Sequence, residues 1–104
     1  MSVIFKVEIT PSAEADIAEI WDYIAQDSLV QANAFIDALK TQVKLLEQFP
    51  ERCSLIDEND ILGTKYRHLL HGSYRMIFRI SRHTVLILRI VHGARLLNDE
   101  FFSS

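Results

Sequence analysis

The chain has 104 residues, 49% of them apolar and 24% charged, with a formal net charge of −3. That mix excludes a disordered or fibrous chain, and the length suits one domain, residues 1–104, with its own core. A single cysteine, Cys53, excludes an internal disulfide, and no stretch approaches the roughly 20 apolar residues that span a bilayer.

In chain order, Val3 to Ile9 is rich in β-branched and aromatic residues and reads as a strand. The opening MSVIFKVEIT has neither the basic start nor the long apolar run of a signal peptide, so a cytoplasmic location is expected. Thr10 then caps a helix that Pro11 can begin without losing a hydrogen bond. Ala13, Ile17, Ile20, Trp21 and Ile24 fall at helical spacing on one stripe, which places Trp21 in the core. Ser28-Leu29-Val30-Gln31 opens a second helix with a capping-box pattern. Its stripe is Ala32, Phe35, Ile36, Leu39, Val43 and Leu46, and Pro50 ends it near Phe49. The short connection makes the two helices a hairpin. Residues 51–63 are polar and aperiodic and read as a loop, with Cys53 in it as a small hydrophobe.

From Lys65 the period changes to two. Tyr74, Met76, Phe78 and Ile80 point one way, and Arg75, Ile77 and Arg79 the other. His71-Gly72-Ser73 and Ser81-Arg82-His83-Thr84 supply turns. Thr84 to His92 is apolar on both faces except for Arg89 and reads as a central strand. If helices cover only one side, Val85, Ile87 and Val91 form an exposed apolar patch around Arg89, with Leu96 to Phe102 as a partial cover. The expected fold is α+β in the order β-α-α-β-β-β, its N-terminal strand and helical hairpin packed on one face of an antiparallel C-terminal sheet.

Charge is segregated along this order. Residues 1–64 carry twelve acids and four bases, whereas 65–95 carry seven bases and no acid. Exposed ion pairs within one chain are worth little, so the pattern is read as a docking face for an acidic partner. The residues expected there are Arg67, Arg75, Ile77, Arg79, Val85, Ile87, Arg89, Val91 and Arg95.

Three segments resemble the RelE/ParE toxin superfamily of bacterial type II toxin–antitoxin modules, on its ParE-like, plasmid-stabilisation branch. They are T-P-S-A-E-A-D-I from Thr10 to Ile17, Y-R-H-L-L-H-G-S-Y-R-M-I-F-R-I from Tyr66 to Ile80, and L-R-I-V-H-G-A-R from Leu88 to Arg95. The resemblance runs over essentially the whole chain and implies a RelE-like fold. It also implies a cognate antitoxin, expected here to bind through an acidic, amphipathic C-terminal segment, and DNA gyrase as the target. An open strand edge leaves room for a homodimer or a toxin–antitoxin hetero-oligomer. The alternatives it implies are a ribosome-dependent mRNA endoribonuclease of RelE type and an inactive relative that only binds antitoxin.

A metal-independent nuclease needs a base, an acid and cations for the phosphorane. His92 is the candidate base or acid, with Arg79, Arg95 and Arg75 as phosphate ligands and Tyr66 as a helper. The net negative charge and the tail Asn98-Asp99-Glu100-Phe101-Phe102 disfavour RNA. His68 and His71, three residues apart, would point to opposite faces of a strand and make a poor metal pair, so neither a metal nor a cofactor is expected.

Overall fold

The computed structural model describes residues 4–93, 95 and 97–102 of the chain. Strand β1 (Lys6–Ile9) leads into helix α1 (Pro11–Ala25) and helix α2 (Leu29–Gln48). A 3-10 turn (Pro50–Arg52), a two-residue strand β2 (Ser54–Leu55) and a short helix α3 (Asn59–Leu62) follow. The chain then forms β3 (Arg67–His71), β4 (Tyr74–Ser81), β5 (Thr84–His92) and α4 (Asp99–Phe102). Of the strand expected from Val3 and the cover expected from Leu96, those two residues lie outside the described ones.

The five strands form one sheet in the order β1-β5-β4-β3-β2, with β1 parallel to β5 and the other pairs antiparallel. This is the α+β arrangement expected from sequence, extended by one edge strand. Residues 51–63 are not merely a loop. Ser54 and Leu55 pair with His68 and Arg67, and Ile56 is buried at 3% exposure.

Thr10 fastens the helical hairpin to the sheet. Its hydroxyl accepts the Ala13 N–H at 3.1 Å, capping α1, and donates to the Leu88 carbonyl at 2.8 Å. That carbonyl is available because β4 and β5 lose step there: Ile77 faces Arg89 but Phe78 faces Ile87, so Leu88 has no partner across the ladder. Ser28 caps α2 by accepting the Gln31 N–H at 3.1 Å.

The bulge divides β5 between two cores. Val85, Ile87 and Ile90 join Met76, Phe78, Phe35, Leu39 and Leu46 beneath the helices. Val91 packs with Ile77, Ile56 and Leu97 on the opposite face, where Leu62, Tyr66, Leu88, Phe101 and Phe102 close over it. The exposed apolar patch expected around Arg89 is therefore absent. Val85 and Ile87 are sealed under the helices at 0% and 1% exposure, and Val91 is covered by the C-terminal segment. Strict alternation from Val85 misses this because the extra residue resets the phase. Trp21 also departs from expectation: it is half-buried at the seam of the hairpin, its indole N–H reaching Asn33 Oδ1 at 3.4 Å.

Candidate functional site

The basic segment supplies two arginines that turn inward. Arg89 grips Asp16 of α1 with Nε at 2.7 Å and a terminal nitrogen at 2.8 Å, a bidentate pair. Its other terminal nitrogen donates to the Phe101 carbonyl at 2.8 Å, and its guanidinium lies 3.8 Å from the Phe101 ring centre. Asp16 Oδ2 also accepts the Ile90 N–H at 2.9 Å, so one carboxylate serves side chain and backbone together. The Asp16 hydrogen bond raises the Arg89 pKa further above its ordinary value, against the opposing effect of burial.

Arg75 is 5% exposed. It binds Glu58 through both terminal nitrogens, donates to the Arg95 carbonyl at 3.0 Å and lies 3.4 Å from His68 Nδ1. The Arg75 hydrogen bond holds the Glu58 carboxyl below its ordinary range. Burial, and then the Arg75 charge, push the His68 imidazole below its ordinary value. Asn59 holds Glu58 in position by pinning the following turn. Its side chain donates to the Tyr66 carbonyl at 2.9 Å and accepts from Tyr66 N–H at 2.9 Å and Thr64 hydroxyl at 2.7 Å. Gly63, at φ +68, makes the left-handed turn between them.

Neither Asp16 nor Glu58 figures among the site residues expected from sequence. Asp16 was legible, since positions 13, 16, 17 and 20 share one helical face. Glu58 carries no local signal, because only the tertiary fold brings it to Arg75.

The remaining expected site residues do not assemble into one surface. Ile77 is fully buried, and Arg67 turns back to the Cys53 and Glu51 carbonyls at 2.6 and 3.3 Å. Burial raises the Cys53 thiol pKa, with Arg67 opposing it. Arg79 is exposed on β4. Arg95 lies 4.5 Å from the Phe101 ring centre, and its N–H donates to the His92 carbonyl at 3.1 Å. His92 and Arg95 share a cleft of about 470 Å³ with Tyr74, Asp16, Glu19 and Asp22. His92 pairs in register with Tyr74, five residues along β4 from Arg79, so Arg79 is about 17 Å away along the sheet. The geometry brings His92 and Arg95 together and leaves Arg79 apart. Among the described residues no helix is long and apolar enough to cross a membrane.

Solved structures of toxin–antitoxin systems resemble this fold. The chromosomal ParDE toxin–antitoxin system of P. aeruginosa aligns at TM-score 0.67 and 24% identity, over 88% of this chain and 98% of that one. A chain of the RelBE2 toxin–antitoxin complex of Mycobacterium tuberculosis aligns at TM-score 0.59 and 25% identity, over 89% and 95%. No curated protein matches the chain. The family model for the ParE toxin of type II toxin–antitoxin systems, parDE, matches residues 7–97, spanning α1, α2 and all of β2 to β5. The chain belongs to the ParE toxin family of type II toxin–antitoxin systems.

Proposed function

We propose that this ParE-family toxin, when free of its antitoxin, arrests growth by docking on DNA gyrase rather than by cutting RNA. The observation that carries this reading is how the cations of the basic segment are used. Arg75 and Arg89 are held by Glu58 and Asp16. Arg79 stands well away from His92, so it cannot share a phosphate with it. A phosphorane needs cations converging within hydrogen-bond reach of one centre. What remains beside His92 is Arg95, in a cleft whose other wall carries Asp16, Glu19 and Asp22, a poor setting for a polyanion. An antitoxin with an acidic, amphipathic C-terminal segment neutralises the toxin by occupying its surface.

Induction of the chain alone tests the reading. The expected result is growth arrest with loss of plasmid supercoiling and a DNA-damage response, while transcripts stay intact. The His92→Ala variant remains toxic. Cleaved transcripts together with loss of toxicity in His92→Ala overturn the gyrase reading in favour of a ribosome-dependent nuclease. Induction without arrest identifies a relative that only binds antitoxin.

A further inference from the structure

The sheet has an edge that the chain does not finish. Strand β2 covers β3 only at Arg67 and His68, so Leu69, Leu70 and His71 have no strand partner on their outer side among the described residues. Gln42 of α2 substitutes there for a strand. Its side-chain N–H donates to the Leu70 carbonyl at 3.2 Å, as a neighbouring peptide group would. Gln42 is only 7% exposed, yet among the described residues its Oε1 has no hydrogen-bond donor. Buried acceptors are nearly always satisfied, so this one marks a place where a donor is missing.

Apolar clefts open on either side of the Gln42–Leu70 bond. One of about 460 Å³ runs between Leu45 of α2, Phe49 just after it, and Leu69 and Leu70 of β3, with Arg52 and His68 at its border. The other, of about 480 Å³, lies between Ala34 and Ala38 of α2 and the turn at His71. Leu45, Phe49 and Leu70 are 49%, 45% and 62% exposed. Among the described residues, none that lines either cleft is acidic. From Gln31 to Phe49 the helix runs about 27 Å, the span of about eight extended residues.

We propose that this groove receives an extended segment of the antitoxin, added as a strand to the outer edge of β3. Alternate apolar side chains of the segment fill the two clefts, and acidic side chains face Arg52. Strand addition of this kind takes its affinity from backbone hydrogen bonds and its specificity from pockets for every second side chain. The charge of the border disfavours a second copy in the symmetric arrangement, since pairing β3 with its own counterpart would set Arg52 against itself. The proposal rests on the antitoxin reading above. It moves the partner surface from the sheet face, which the C-terminal segment closes, to the edge beneath α2.

Hydrogen exchange on the full chain, alone and with the antitoxin encoded beside it, tests this. The expected result is new protection in the complex of the Leu70 amide, which points to the open edge as the Leu70 carbonyl does. A complex that forms without that protection overturns the groove and leaves the antitoxin reading standing, whereas failure to form any complex overturns both. Protection that grows with the concentration of the chain alone assigns the edge to a second copy and also overturns the proposal. Leu70→Glu and Leu45→Glu change exposed side chains and keep the fold, which a far-ultraviolet spectrum verifies. Each is expected to weaken antitoxin binding about tenfold or more, while Arg79→Glu leaves it unchanged. The reverse order of effects places the partner on the sheet face and sinks the groove.

Discussion

Asp16 is the residue on which most depends for its size. Its two carboxylate oxygens receive three donors, two from Arg89 and one from the Ile90 backbone. Removing one member of a nearly buried pair leaves the other charge without compensation, which costs about 3–5 kcal/mol. Asp16→Ala should therefore lower the free energy of urea unfolding by that amount, and a loss under about 1 kcal/mol would show that the pair is solvated. Glu58 and His68 give the chain an acid response in two stages. His68 titrates below its ordinary 6.5 in the folded chain, so the unfolded chain binds its proton first and stability begins to fall as pH drops past 6.5. Glu58 titrates below its ordinary 4.5, so its contribution is whole above that value and is lost as pH falls through the lowered one. Both slopes have the same sign, and they are separable. His68→Gln flattens the upper limb of stability against pH, and Glu58→Gln flattens the lower.

At the scale of elements, the bulge at Leu88 and the helix α4 act as one device. The bulge frees the Leu88 carbonyl for Thr10, which ties α1 to β5. Beyond it Arg89 faces the Phe101 carbonyl and ring, which fixes α4 over Ile77 and Val91. Tyr66 and Phe102, with ring centres 5.1 Å apart, close the same cover from the side of the turn after α3. Both phenylalanines remain partly exposed, so each contributes less than the 1.5–3 kcal/mol of a fully buried apolar side chain. Removing residues 99–104 should accordingly cost about 2–4 kcal/mol of unfolding free energy, measured by urea titration. An unchanged midpoint would mean that α4 rests on the sheet without holding it. The elements themselves were largely legible in the sequence. Thr10 and Ser28 announced two helices, and period-two spacing announced β4 with the correct faces. The bulge was not legible, because Leu88-Arg89-Ile90 carries no glycine or turn residue to mark an extra position, and β2 is too short to show a period at all.

For the molecule as a whole, part of the separation of acids from bases is used inside the fold. Long, exposed pairs between sheet and helices would indeed be worth little, and that reasoning favoured an outside partner for the basic segment. The pairs that form are short, partly backbone-bonded and nearly buried: Asp16 with Arg89 at side-chain exposures of 11% and 18%, Glu58 with Arg75 at 12% and 6%. At two of the seven bases, segregation along the sequence thus becomes neutralisation in space, because Asp16 of α1 and Glu58 of the segment before β3 are folded onto the strands that hold Arg89 and Arg75. Sequence alone could not separate these outcomes, since both need the same composition and differ only in which side chains are withdrawn from water. Salt separates them. Exposed pairs are screened over about 8–10 Å at moderate ionic strength, and buried pairs far less. The urea midpoint should therefore hold nearly constant as sodium chloride rises from about 0.05 M to about 0.5 M, while binding of an acidic antitoxin weakens over the same range. If instead the midpoint falls steeply, the charges that stabilise the fold lie on its surface. The argument that Arg75 and Arg89 are committed inside the molecule would then fail with it.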